Sequence, residues 1–179
     1  EHATRFDALA ENLGLRKAEI IEPLLELGLR AENLAALVMA PLVELAWADR
    51  NLDNEERARL MRDESDLGIE PDSPAGRLSS SWLETRPDPR LMDAWAAYVT
   101  ELCRILPEAE RDRLREDIVS RARVLSGALE KTFLRGGRSN RAERNVLERI
   151  EATFDGPRTE AKSGRDRRYL LDDFVNSLT

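Results

Sequence analysis

The feature that most constrains the fold of this chain is an apolar stripe with helical spacing between residues 91 and 106. Apolar side chains recur there three or four positions apart, which places them on one face of an α-helix. The stripe consists of Leu91, Trp95, Tyr98, Val99, Leu102 and Leu106. A second stripe follows at the same spacing, with Leu114, Ile118, Ala122, Leu125 and Leu129. Two such helices in succession predict a bundle whose helices turn their apolar faces inward.

Glycine and proline divide the rest of the chain into further helices. Predicted helices over about residues 4–12, 16–27 and 55–67 end at Gly14, Gly28 and Gly68. Two more helices are predicted to begin at Ser73-Pro74 and Asp88-Pro89, where the first residue caps the helix and the proline occupies its first turn. These local signals agree with the stripes, so the sequence predicts an all-α fold.

The most apolar run, residues 34–48, lies in a predicted helix over residues 31–48. Pro41 and Glu44 interrupt the run, and it is too short for a membrane span of about 20 residues. Its nearly all-round hydrophobicity predicts a central buried helix, and Pro41 is expected to kink it or to split it in two.

The predicted organisation is a single-domain bundle of about seven to nine helices over residues 1–154, ending in a helix that carries Val146, Leu147, Ile150 and Phe154. Residues 155–168 are rich in Gly, Pro, Ser, Lys and Arg, which indicates a linker. Residues 169–179 predict a short amphipathic helix. Its apolar face comprises Tyr169, Leu170, Phe174 and Leu178, and it either packs on its own bundle or binds a partner.

Composition argues against several classes of function. The formal net charge of −7 disfavours nucleic-acid binding, which needs a basic surface. His2 is the single histidine, so His-based nucleophilic catalysis and a two-histidine zinc site lack their residues. Cys103 lies in an apolar stretch and is predicted to be a buried small hydrophobe. Trp47, Trp82 and Trp95 lie on apolar helical faces and are predicted to be core residues.

Three acidic residues, Asp49, Asp53 and Glu56, concentrate in the turn before residue 57. Clustered carboxylates bind hard divalent cations such as Ca²⁺, and this set is a candidate metal site. An EF-hand is excluded, because Asn54 and Leu60 stand where its glycine and its bidentate glutamate are required. The competing interpretation needs no cofactor: Asp53 caps the next helix, and Glu56 completes a capping box.

The start of this helix recurs later in the chain. Residues 53–60 and 140–147 share the pattern [DN]-x-x-E-R-x-x-L. Gly136 stands in the second copy where Asp49 stands in the first, so capping can be common to both copies but a metal cluster belongs only to the first. The sequence therefore predicts two pseudo-repeated helix starts.

Residues 42–49, residues 52–57 and the ending Leu67-Gly68-Ile69 resemble the opening helical pair of the TerB-like family, named for a tellurite-resistance protein. With the later Trp82-Leu83, the segment 95–99 and the segment 136–147, the resemblance to a bacterial branch of that family covers most of residues 27–154. It implies a helical bundle with pseudo-repeated halves and a divalent-cation site at Asp49, Asp53 and Glu56. Arg50 departs from the family pattern, which has glycine after the first aspartate.

A weaker candidate lies around Gly136-Gly137, where Arg135, Arg138 and Arg141 precede a helix and could hold an anion. The alternative is a solvated arginine-rich loop.

The leading functional hypothesis is a non-enzymatic protein-interaction module of a bacterial stress or envelope-linked system. A divalent-cation-binding regulatory domain is the alternative, and a carboxylate-based hydrolase is the weaker one, because no particular acidic pair is singled out among 35 Asp and Glu residues. A protein partner or self-association is expected. The expected location is the cytoplasm; since the chain begins at Glu1 without Met, the absence of a leader carries little weight.

Overall fold

A computed structural model of the chain describes residues 1–48, 50, 52–133 and 141–156, with side chains described for all of these except 128–133. The described residues form eight α-helices and one 3-10 helix, and no strand occurs among them. The first half comprises α1 (His2–Leu13), α2 (Ala18–Glu26), the 3-10 helix (Ala31–Met39), α3 (Ala40–Ala46) and α4 (Asn54–Asp66). The second half comprises α5 (Pro74–Glu84), α6 (Arg90–Ile105), α7 (Glu108–Phe133) and α8 (Arg141–Phe154). The predicted all-α bundle is confirmed.

Helix α3 lies at the centre of the bundle. It contacts the 3-10 helix and every helix from α4 to α8. All of its residues except Glu44 are buried, and Glu44 pairs with Arg86 at 3.2 Å. The prediction of a central buried helix is confirmed, and the charge that interrupts the apolar run has an ion-pair partner.

The helix predicted over residues 31–48 is split near Pro41, one of the two expected alternatives, but α-helical geometry is wrong for its first half. Residues 31–39 form a 3-10 helix, and α-helical geometry begins only at Ala40. Pro41 lies in the first turn of α3, where its missing N–H removes no intrahelical bond. Further back in an unbroken α-helix the same ring would clash with the preceding turn, so the run is split rather than kinked.

The predicted helix ends and starts are largely confirmed. Gly14, Gly28 and Gly68 adopt positive φ values of 65°, 87° and 74° at the ends of α1, α2 and α4. The Ser73 hydroxyl accepts the Gly76 N–H at 3.0 Å at the start of α5. Helix α6 begins at Arg90, one residue later than predicted, and Asp88 Oδ1 accepts the Arg90 N–H at 2.9 Å.

Both apolar stripes face the core. Every member of the α6 stripe is buried, as are the α7 residues Leu114, Ile118, Ala122 and Leu125, whereas the side chain of Leu129 lies outside the described residues. Trp82 and Trp95 are core residues as predicted, but Trp47 and Cys103 are only half-buried against the core. Among the described residues, none of the helices is long and apolar enough to cross a membrane.

Candidate functional site

The acidic turn connects α3 to α4, and its second half is a capping box. Asp53 Oδ1 accepts the Glu56 N–H at 2.8 Å, and Glu56 Oε2 accepts the Asp53 N–H at 2.8 Å. These bonds satisfy backbone donors that a helix start leaves without intrahelical partners. The predicted capping role of this pair is confirmed.

The metal hypothesis for the same turn stays a prediction. Asp49, the third acidic residue of the proposed set, lies outside the described residues. Within the described part of the chain, no group of three or more His, Cys, Asp or Glu side chains could hold a metal ion. Asp53 and Glu56 with their described neighbours therefore do not form such a cluster by themselves.

Arg50 has an unusual backbone conformation. Its φ of 70° lies in the left-handed region, and it is the only non-glycine residue with positive φ in the described ranges. Left-handed backbone favours glycine, because a Cβ atom crowds the following carbonyl oxygen. The backbone at this position is therefore the one that glycine, the residue of the TerB-like pattern, adopts most readily.

The second helix start resembles the first in structure as well as in sequence. Helix α4 begins one residue after Asp53, whereas Asn140, the predicted cap of α8, lies outside the described residues. The glutamate at the third helical position is buried in both, with Glu56 6% and Glu143 4% exposed. The buried glutamate is therefore common to both copies, and a shared cap at the two helix starts stays a prediction.

An ion-pair cluster between α4 and α7 was not predicted from the sequence. Asp63 of α4 is 1% exposed, and its Oδ1 accepts a hydrogen bond from Arg121 Nη1 of α7 at 3.1 Å. Arg59 Nε lies 3.6 Å from Asp63 Oδ2. Burial raises the pKa of Asp63, and the charges of Arg59 and Arg121 oppose that rise. The spacing of Arg59 and Asp63 is visible in the sequence, but the partner from α7 is 58 residues away.

Arg121 joins further carboxylates to the cluster. Its Nε donates to Asp117 Oδ1 at 3.3 Å within α7, and its Nη1 lies 3.9 Å from Asp66 Oδ2 on α4. One guanidinium therefore contacts acidic groups on both helices. The cluster fixes the position of α4 against α7.

Glu64, next to Asp63, is buried on a different side of α4. It is 5% exposed, and its Oε1 is buried without a hydrogen-bond partner. Burial raises the pKa of Glu64, and the Ser79 hydroxyl on α5 opposes the rise. Since no ion pair joins Glu64 to a cation in the described ranges, its charge is poorly compensated.

At the N-terminal end of α7, a depression with about 260 Å³ of empty space, open solvent included, lies among the ends of α6, α7 and α8. Its lining comprises Thr100, Cys103, Arg104, Arg111, Thr153, Phe154 and Gly156. Burial raises the pKa of the Cys103 thiol to about 11, and the charge of Arg111 opposes that rise. Cys103 is therefore a protonated thiol at neutral pH and a weak nucleophile.

The remaining predicted sites lie mostly outside the described residues. Arg141 is the exposed first residue of α8, whereas Arg135 and Arg138 of the anion hypothesis are outside. The predicted linker from residue 157 onward and the whole predicted partner-binding face, which consists of Tyr169, Leu170, Phe174 and Leu178, are also outside.

The geometry defines an all-α helical bundle with internal ion pairs, and comparison with known proteins adds no family to that class. A scan against protein-family models finds no match, and searches of curated proteins and of solved structures find no similar chain. The TerB-like resemblance therefore stays a prediction.

Proposed function

We propose that this chain is a TerB-like, non-enzymatic helical module that mediates protein interactions in the cytoplasm of a bacterial stress or envelope-linked system. The observation that supports the proposal is the use of the buried charged groups. Asp63 and Arg121 join α4 to α7, and Asp53 and Glu56 close the start of α4. These groups hold helices together instead of facing a cleft, as a scaffold requires.

A helix held in this way presents a constant surface to a partner. Helix α4 is fixed at its start by the capping box and along its length by Asp63, while Met61 and Arg62 on the same helix are exposed. A partner that binds a rigid helix orders fewer side chains and loops than one that binds a mobile segment. Rigidity therefore favours recognition over catalysis that depends on closure.

The interaction hypothesis is tested on the apolar face predicted for residues 169–179. Leu170→Ser, Phe174→Ser and Leu178→Ser are combined in one variant of the full chain, and Asp172→Ser with Asn176→Ser is the matched control. Sedimentation velocity over a range of concentrations should show self-association that only the apolar variant weakens, with unchanged helix content. Full-chain protein that stays monomeric in all three forms contradicts self-association, and unfolding of the apolar variant shows that these residues belong to the core.

The second candidate is a divalent-cation-binding regulator that uses Asp49, Asp53 and Glu56. Its support is the left-handed backbone at Arg50, which matches the glycine of the TerB-like acidic turn. Calcium should raise the unfolding temperature, and Asp49→Asn should abolish the rise. Asp72→Asn, in the exposed turn before α5, is the matched control and should leave the rise intact. An unfolding temperature that millimolar calcium does not change argues against this function.

Arg50→Gly sharpens the same test. Glycine relieves the left-handed strain but increases the freedom of the unfolded chain, so we expect a net gain of about 0.5 kcal/mol in unfolding free energy. Removing the cationic side chain should also strengthen the response to calcium, because a positive charge in the acidic turn repels a metal ion. Urea denaturation with and without calcium measures both effects. Stabilisation without any calcium response would support the turn geometry while counting against the cation site.

A further inference from the structure

The depression at the end of α7 combines arginines from two helices with hydroxyl groups. Arg104 comes from the last turn of α6 and Arg111 from the first turn of α7, while Thr100 and Thr153 supply hydroxyls. The depression opens to solvent, and its empty space of about 260 Å³ includes part of that solvent, so a ligand would lie at the surface rather than in an enclosed pocket. The space suits a small ion.

Arg111 is the central observation. Its side chain is only 16% exposed, yet it makes no hydrogen bond to any part of the chain that the structure describes. Its nearest carboxylates, on Glu108 and Asp112, are each 3.7 Å away and are 74% and 63% exposed. Ion pairs with such exposed groups are screened and weak. Packing therefore holds a guanidinium in place with most of its donor capacity unused.

Arg104 is also weakly held. Its Nη1 lies 3.5 Å from Glu101 Oε2, while Glu101 Oε1 lies 2.6 Å from Lys17 Nζ. The carboxylate nearest to Arg104 is thus shared with a closer cation. A ligand with several oxygen acceptors can replace this contact at little cost.

The hydroxyl groups differ in what they can offer. Thr153 Oγ1 donates its proton to the Arg149 carbonyl at 2.8 Å, so that proton is committed. Thr100 makes no side-chain hydrogen bond within the described ranges, and its hydroxyl can donate. The carbonyl ends of α6 and α8 and the amide end of α7 all lie at this end of the bundle, so the guanidinium groups supply the main attraction for an anion.

We propose that this depression binds a small oxyanion, with Arg111 and Arg104 donating to its oxygens and Thr100 adding a hydroxyl donor. Planar guanidinium groups present several N–H donors in a fixed fork, the geometry that phosphate and carboxylate oxygens accept. The bound oxyanion is either a free ion, such as inorganic phosphate, or the same group carried by a small ester.

The alkylation rate of Cys103 reports on ligand binding in the depression. Cys103 is the single cysteine of the chain, it lines the depression, and Arg111 lowers its pKa against the effect of burial. An oxyanion that neutralises Arg111 and covers the thiol should slow alkylation of Cys103 several-fold. Inorganic phosphate should do so with saturation. Arg111→Gln should slow the basal reaction and remove the phosphate effect, whereas Arg113→Gln, an exposed position on the same helix, should change neither.

Control measurements with other salts distinguish anion binding from the screening of charges and identify the preferred anion. Sodium chloride at matched ionic strength should not reproduce the saturable phosphate effect, and a parallel effect of chloride overturns the proposal. Sulfate, acetate and a phosphomonoester then show which oxyanion is preferred. Phosphorus NMR line broadening by the wild-type chain, absent with Arg111→Gln, is the independent measurement. If neither the thiol nor the phosphorus signal responds at millimolar phosphate, the proposal is wrong.

Discussion

Two arginines of α7, Arg111 and Arg121, have side chains that are almost equally buried, at 16% and 18% exposed. The Arg121 side chain makes hydrogen bonds to Asp63 and Asp117, whereas the Arg111 side chain makes none to the described residues and approaches only Glu108 and Asp112, each at 3.7 Å. The same residue type, on one helix and at one depth, therefore has two different roles. Burial alone does not reveal whether a charge is structural or available to a ligand.

The two arginines differ in how deeply their acidic partners are buried. The Asp63 side chain is 2% exposed, while that of Glu108 is 74% exposed. Water and salt screen an exposed pair but reach a buried one far less. The Arg121 contact therefore contributes to holding α4 on α7, and the Arg111 contacts contribute little.

The largest expected effect follows from Arg121→Gln. The substitution leaves Asp63 buried with only Arg59, at 3.6 Å, to oppose its charge. Breaking a buried ion pair costs about 3 to 5 kcal/mol, and the remaining arginine places the expected loss near about 3 kcal/mol. Urea denaturation at neutral pH measures it.

Two variants control this prediction. Arg113→Gln removes an exposed arginine from the same helix and should change the unfolding free energy by less than about 0.5 kcal/mol. Asp63→Asn combined with Arg121→Gln should recover part of the loss, because the stranded charge is gone. If Arg121→Gln is as mild as Arg113→Gln, the contrast between Arg121 and Arg111 does not exist.

Asp53→Ala tests how far the position of α4 depends on its cap instead of on α7. Losing a helix cap of this kind costs about 1 kcal/mol. Asp53→Ser keeps an acceptor for the Glu56 N–H and should retain most of the stability. Thermal unfolding of both variants measures the difference. A loss from Asp53→Ala as large as that from Arg121→Gln would mean that the cap, and not the buried ion pair, dominates.

Glu64→Gln tests a buried carboxyl group on α4 that, unlike Asp63, has no arginine partner among the described residues. The folded state raises the pKa of Glu64, so below its unfolded value of 4.5 both states are protonated and no penalty arises. As pH rises through the raised folded pKa, the folded state acquires an uncompensated charge and loses stability. Glu64→Gln should therefore stabilise the protein by about 1 kcal/mol at pH 7 and by almost nothing near pH 4. A gain that is independent of pH would contradict this explanation.

How far the sequence could predict this molecule depends on the distance over which each feature is encoded. The capping box of Asp53 and Glu56 and the glycine at the end of α4 act within four residues of themselves, and both were predicted. The contact of Asp63 with Arg121 spans 58 residues, and one charged pair cannot be selected from a chain that is 35% charged. Local signals thus gave the helices, while the pairings between helices required the structure.

The 3-10 helix shows a second limit. Residues 31–39 are mostly apolar, which indicates burial but does not distinguish α from 3-10 geometry. The segment packs along α5, a contact that residues 31–39 alone do not encode. The depression around Arg111 could not be predicted from the sequence either. Its lining comes from α6, α7 and α8, and no sequence motif unites them.

The smallest expected effect is that of Arg111→Gln in the absence of added anions. Its carboxylate neighbours are exposed, so losing the guanidinium leaves no buried charge stranded. We expect the unfolding free energy to change by less than about 0.5 kcal/mol, compared with about 3 kcal/mol for Arg121→Gln. Phosphate should then stabilise the wild-type chain and the Arg113→Gln control but not Arg111→Gln, since a ligand that binds only the folded state adds to its stability. A large loss from Arg111→Gln without phosphate would show that both arginines are structural and would remove the contrast between them.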